Sequence, residues 1–455
     1  MKENELFKSV PIKKALMKMS FPLMVSMLVT VIYNMADTFF IGQTGDANQV
    51  AAVSLTTPIF MLLMAIGNIF GSGGSSYISR TLGEKNQVKV KRISSFCFYS
   101  SIFLGFLSIV VLLGGIEPIL KFLGTSSATN DYCRNYLFYY ILGAPFVLCS
   151  FSLSNIIRSE GASKEAMIGN MIGTIANIIL DPILILAFGM GVSGAAIATV
   201  IGNALAVLYF ATYIIRRSTV LSISLKDLSI KDKIVSSVMS IGIPASVNNI
   251  LMSISYIFVN NYLKAYGDSA IGAMGIANKV ISLVTLLLVG FASGSQPLLG
   301  YSYGAKNHKR LNELLSFSFR TVIIGGTLGG LVIYIFSNSI IKLFINDVEI
   351  INYGTTMLRA LILSTPIIGI IFVLNSLFQA MGKGTQSMIL ALSRQGLIFI
   401  PIIAIMSKSF GLDGVIYSQA ITDLLTTLLS IAMFILVKKQ QTTTLNTNLE
   451  FKNIA

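Results

Sequence analysis

Asp37 and Asp181 stand inside otherwise apolar stretches of the chain. A carboxylate at the centre of a bilayer costs about 2.5–3.5 kcal/mol on insertion scales, so one that persists there needs a compensating role. Asp37 lies in Tyr33-Asn34-Met35-Ala36-Asp37-Thr38, and Asp181 in Asn177-Ile178-Ile179-Leu180-Asp181-Pro182. Asn177 and Asp181 are four apart, so a helix projects both from one face. That face carries carboxylate and amide oxygens, hard ligands of the kind Na⁺ prefers. Two carboxylates out of water also make a proton site, because burial and mutual repulsion oppose ionising both. The chemistry suggested is binding of a coupling ion, H⁺ or Na⁺, or of a cationic cargo.

Membrane-spanning helices must position these residues. The 455-residue chain is 54% hydrophobic and only 11% charged, with a mean hydropathy of +0.77. A soluble fold would carry about a quarter charged residues. Apolar runs of spanning length place helices at 16–41, 50–80, 93–115, 134–158, 165–188 and 192–215, then at 235–263, 270–300, 312–336, 352–380, 386–407 and 412–437. The expected fold is an all-α polytopic membrane protein with twelve spans. Residues 1–15 form an N-terminal segment, 16–215 a first lobe, 216–234 a polar linker, 235–437 a second lobe and 438–455 a tail. The net charge of +14 is explained by lysine and arginine held on one membrane face, not by nucleic acid. Lys2, Lys8, Lys13, Lys14 and Lys18 precede the first span; Arg80 to Arg92, the linker, Lys306 to Arg310 and the tail (Lys438, Lys439, Lys452) carry the other clusters. By the positive-inside rule both termini are cytoplasmic, in a multi-pass plasma-membrane protein. The N-terminus has no cleavable-signal pattern. Cys97, Cys133 and Cys149 suggest neither a metal site nor a disulfide framework and read as small buried residues.

The two halves repeat. Gly83-Glu84-Lys85-Asn86 matches Gly304-Ala305-Lys306-Asn307 at an offset of 221. Pro145 matches Pro366 and Gly161 matches Gly382 at the same offset. Gly45-Asp46 matches Gly267-Asp268 at 222, and Gly191 and Gly194 match Gly411 and Gly414 at 220. Six spans per copy make the repeats parallel, related by an axis along the membrane normal, as in transporters that rock two lobes about a cleft.

Asp37-Thr38-Phe39-Phe40-Ile41-Gly42, Ser79-Arg80-Thr81-Leu82-Gly83-Glu84 and Asn177 through Asp181 resemble the MATE family, the multidrug and toxic compound extrusion transporters, over residues 16–437. Several details look like its MepA-like branch from Gram-positive bacteria. The resemblance implies two six-helix lobes in a V and antiport of organic cations and drugs, antibiotics among them, against H⁺ or Na⁺. It needs no cofactor besides that ion. The family's N-lobe cation site carries over onto Asp37, Asn177, Asp181 and Thr199. One departure is that 244–262 lacks the acidic residue some Na⁺-coupled members have in the seventh helix; Asn248 and Asn249 are the nearest polar substitutes.

The second half has its own charges within spans, namely Lys279, Arg394 and Asp423. Arg394 and Asp423 read as a structural pair or as transport residues; Lys279 reads as snorkelling or as a site for anionic groups. Loose cargo recognition fits a cleft lined by methionine and aromatic residues, with Tyr33, Met35, Tyr139 and Met171 as candidates. The expected partners are small organic cations and membrane lipid, with the protein acting as a monomer. A flippase for lipid-linked oligosaccharide is the rival reading: Lys279 and Arg394 favour it, and the two aspartates oppose it. No nucleophile–base pair, metal cluster or phosphate loop points to an enzyme.

Overall fold

A computed structural model describes the backbone of residues 3–454, and all side chains among these except 3, 4, 34, 249, 250, 253, 268 and 441–454. Lys2 and the side chains of Asn34, Asn249, Asp268 and Lys452 therefore lie outside the described residues. All regular structure among the described residues is helical. In chain order the helices are α1 (Glu3–Lys8), α2 (Ile12–Gly42), α3 (Ala47–Gly83), α4 (Gln87–Gly114), α5 (Ile116–Phe122), α6 (Asn130–Leu142), α7 (Ala144–Ser159) and α8 (Ser163–Asp181). They continue as α9 (Gly191–Arg216), α10 (Ile234–Leu263), α11 (Asp268–Gly304), α12 (His308–Lys342), α13 (Val348–Ile362), α14 (Thr365–Ala380), α15 (Gly384–Leu392) and α16 (Phe399–Ile454).

Eight helices among the described residues are long and apolar enough to cross a membrane, and α6/α7 and α13/α14 form two further spans bent by 56° and 49°. The last of the eight runs from α15 into α16 and breaks at Gly411 (φ 57°, ψ −130°), which divides it in two. The 30-residue α10 stands where the seventh of the twelve expected spans lies, and its apolar part among the described residues is Ile234–Asn248. The apolar runs predict single helices over 134–158 and 352–380, and the structure bends both. Both bends fall just before a proline, Pro145 and Pro366, whose ring clashes with the preceding turn and removes a donor. Two π-helical turns, Pro182–Ala187 after α8 and Ser393–Leu397 after α15, lie on corresponding spans of the two halves.

The duplication is written into the backbone. Lys85 and Lys306 both adopt the left-handed conformation (φ 62° and 53°), uncommon for a side chain with a Cβ. After each, an asparagine caps the next helix: Asn86 accepts from the Lys89 amide and Asn307 from the Arg310 amide, both at 3.0 Å. Three of the five glycine pairs matched in sequence have positive φ in both copies: Gly45 and Gly267, Gly161 and Gly382, Gly191 and Gly411.

Two compact units result. The first comprises residues 1–250, 293–317 and 379–384; the second comprises 251–292, 318–378 and 385–455. The first is cored by one cluster around Phe70, Ile93, Leu153 and Phe210 and another around Leu63, Tyr140, Leu148 and Ala195. Within it, backbones from the two sequence halves touch almost directly. A Cβ on Gly73 would sit 2.2 Å from the Val238 carbonyl, one on Gly242 2.0 Å from that of Ile69, and one on Gly304 2.1 Å from that of Arg80. Small residues permit that approach between membrane helices. The second unit is cored by Met274, Ile341, Met357, Leu358, Phe399 and Ile403. Long apolar side chains are left exposed on the spans, such as Phe103, Phe106 and Val110 on α4 and Leu328, Leu331 and Ile335 on α12. Patches of that kind belong against lipid.

Candidate functional site

Four helices of the first unit bring polar side chains to one place. On α2, Tyr33 and Asp37 are four apart and share a face; so do Asn177 and Asp181 on α8, and Tyr136 and Tyr140 on α6. Thr199 comes from α9. What lets α8 and α9 close is a glycine pair, since a Cβ on Gly173 would lie 2.8 Å from the Gly202 carbonyl, and one on Gly202 2.6 Å from that of Gly173. Gly202→Ala is expected to destabilise the protein by about 1–3 kcal/mol through overpacking, read as a lower Tm. Gly325→Ala on α12, where nothing lies within 4 Å, should not.

One turn from that contact, Asn177 bridges the two helices. The amide orientation that satisfies its neighbours puts Nδ2 2.9 Å from Asp181 Oδ2, and Oδ1 3.2 Å from Thr199 Oγ1. The Tyr33 hydroxyl lies 3.2 Å from Thr199 Oγ1. Asp37 and Asp181 lie within electrostatic reach of each other, and Tyr33 and Tyr136 within reach of both. Both carboxylates are buried, Asp181 completely. Among the described residues Asp37 Oδ1, Asp181 Oδ1 and the Tyr140 hydroxyl have no hydrogen-bond partner. A buried acceptor without a donor is costly. Asp37 and Asp181 each leave one such oxygen, and the two carboxylates lie within electrostatic reach of each other.

The structure thus draws together Tyr33, Asp37, Asn177, Asp181 and Thr199. Met171 is half-buried about a turn and a half before Asn177, while Met35 and Tyr139 are exposed. Tyr136 and Tyr140, with rings stacked 6.0 Å apart, escaped the sequence reading. Their signal was the four-residue spacing of tyrosines 132, 136 and 140, in a helix that also carries Asp131, Arg134 and Asn135. In the second unit Arg394 Nε donates to Asp423 Oδ1 at 2.8 Å, Gln419 Nε2 donates to the same oxygen at 3.1 Å, and the guanidinium lies over the Phe372 ring. Lys279 is exposed, and Asn248 half-buried. Cys97, Cys133 and Cys149 are buried free thiols. Among the described residues no group of three or more His, Cys, Asp or Glu is placed to hold a metal.

Duplicated six-span halves with a buried, oxygen-lined cluster in one of them are the build of a membrane transporter. Comparison with known proteins narrows the class. The MatE family model matches residues 22–183 and again 244–405, one match in each half. Multidrug export protein MepA of Staphylococcus saprophyticus is 34% identical over 444 residues, spanning 97% of this chain and 98% of the relative. Its namesake from Staphylococcus aureus strain MSSA476 is 35% identical over the same spans. Among solved structures, MATE in the bent conformation superposes with a TM-score of 0.92 at 25% identity, covering 98% of this chain and 99% of that one. An outward-facing multidrug resistance MATE transporter of the MOP superfamily superposes at 0.89 and 25% identity, covering 95% and 97%. The chain belongs to the MATE family of transporters.

Proposed function

We propose that this protein is a secondary antiporter that expels lipophilic organic cations and drugs in exchange for protons bound at Asp37 and Asp181. The observation that carries the reading is the pair of buried carboxylates, each with one oxygen lacking a donor among the described residues. In the amide orientation assigned from its neighbours, Asn177 turns its N–H to Asp181 and its oxygen to Thr199, so that oxygen does not join the carboxylates as a ligand for Na⁺. The kinship with multidrug export proteins supports drug-like cargo.

The cycle follows from differential affinity, the only means by which a ligand shifts a conformational equilibrium. Ionised carboxylates hold cationic cargo, and protonation from outside removes that charge and releases it. Return to the inward state discharges the protons and restores the negative pair. Both termini are cytoplasmic in this scheme, as the lysine and arginine distribution supports. Tyr33, Met35, Tyr139 and Met171 supply adaptable contact for cargo. The flippase alternative gains nothing from Arg394, whose Nε is committed to Asp423.

The test is dye efflux from vesicles reconstituted with the full chain, under a proton gradient and a sodium gradient imposed separately. Proton coupling expects efflux under the first alone. Efflux driven by sodium at a clamped proton gradient would replace H⁺ by Na⁺, with the hydroxyls of Tyr33 and Thr199 as further oxygen ligands.

A further inference from the structure

At the linker end of α9 lies a cavity of about 160 Å³ lined by Tyr209, Thr212, Tyr213, Arg216 and Arg217. Drug-sized ligands fill roughly 300–1,000 Å³, so this space suits a small headgroup and not the transported cargo. Residues 209, 212, 213 and 216 follow the three- and four-residue spacing of one helical face. Glu165 of α8 closes one side: its carboxylate accepts a hydrogen bond from the Tyr209 hydroxyl, and its Oε1 lies 3.9 Å from Arg217 Nη1. That contact sets one negative charge against Arg217 and leaves Arg216 with no ion pair among the described residues. The cavity therefore keeps one net positive charge, between two tyrosines at a helix end where membrane proteins meet the headgroup layer.

A second feature begins at the same place. Leu205, Leu208 and Ile215 are exposed along α9, in an i, i+3, i+10 series that ends beside Arg216. Ten residues of helix rise about 15 Å, half of a hydrocarbon core of about 30 Å. A basic cavity with an apolar track one leaflet deep running from it matches a lipid molecule, headgroup and chain together. A free phosphate would use only the first of these.

We propose that this cavity binds the phosphate of an anionic phospholipid, with Arg216 as its principal ligand and the exposed stripe of α9 against its acyl chain. Arginine suits the role because its planar fork meets phosphate oxygens with two parallel donors. Glu165 acts on the site by holding the Tyr209 hydroxyl in place and by setting its charge against Arg217. The inference concerns binding alone and stands apart from the coupling reaction proposed above.

The experiment uses the full-length protein reconstituted with equal amounts of phosphatidylglycerol and phosphatidylcholine, then scored for retained lipid by native mass spectrometry. Wild type is expected to retain phosphatidylglycerol preferentially, and Arg216→Gln to lower that preference about fivefold, the effect of one arginine near an anionic surface. Lys226→Gln with Lys231→Gln, which removes two basic linker residues outside the cavity, should leave it unchanged. Arg216→Lys, which keeps charge without the fork, should fall between, and it decides the matter if Arg216→Gln fails to fold. Equal retention in wild type and the Arg216 variants overturns the proposal, as does an equal loss in the linker variant. Inorganic phosphate displacing the lipid at millimolar concentration would show a free-phosphate site instead and overturn it too.

Discussion

Asp181→Asn is expected to lower proton-driven efflux by about 5–150-fold, the range of a coupling free energy of about 1–3 kcal/mol. Asparagine has nearly the shape of aspartate, and its side-chain oxygen can still accept from Asn177 Nδ2, as Asp181 Oδ2 does at 2.9 Å. What it lacks is a charge that a proton can cancel. Folding should therefore survive, with Tm close to wild type, while transport is lost. Asp37→Asn should act alike, because Asp37 also has a buried oxygen without a partner among the described residues. The two losses should not add fully, since the carboxylates lie within electrostatic reach and act on the same bound ion. Efflux at the wild-type rate in both variants, measured in vesicles under an imposed proton gradient, would remove the coupling role.

Asp423→Ala is expected to do the opposite, harming the fold first. It strips the partner from a guanidinium whose side chain is 15% exposed, against 1% for the aspartate. Breaking a buried ion pair by deleting one member typically costs about 3–5 kcal/mol, because the remaining charge is left uncompensated. A Tm well below wild type should report it. Arg394→Met combined with Asp423→Leu removes both charges together and should recover most of the loss, since a well-packed apolar pair can replace a buried ionic one. If the double variant melts like wild type but no longer transports, the pair has a transport role. If it does both, the pair is structural.

How much of this was legible beforehand differs by feature. The repeat was plain in Gly83 to Asn86 and Gly304 to Asn307 because a left-handed residue followed by an asparagine cap leaves few choices at each position. The polar faces of α2 and α8 were legible because four-residue spacing is the rule of a helix and lone charges stand out in apolar sequence. Tyr136 and Tyr140 were not, since tyrosine is also an ordinary residue at membrane interfaces, and Tyr139 beside them drew the assignment. The two bends were hidden although Pro145 and Pro366 were visible, because a proline inside a span can be absorbed as easily as it can turn the chain. Arg394 and Asp423 are 29 residues apart, and only packing between the spans of the second unit could decide their meeting. The makeup of the compact units was beyond sequence as well, because residues 293–317 and 379–384 of the second half join the first through contacts that composition does not encode.

The bare contacts at Gly73, Gly242 and Gly304 have a mechanical consequence. Main chain rests there on main chain, with no flexible side groups between to stretch or compress. Attraction of this kind is very short-ranged: a gap of about 0.5–1 Å already forfeits a quarter to a half of it. Contacts so unpadded leave no slack inside the first unit, so a displacement of even one such helix by about half an ångström would be felt at once in stability.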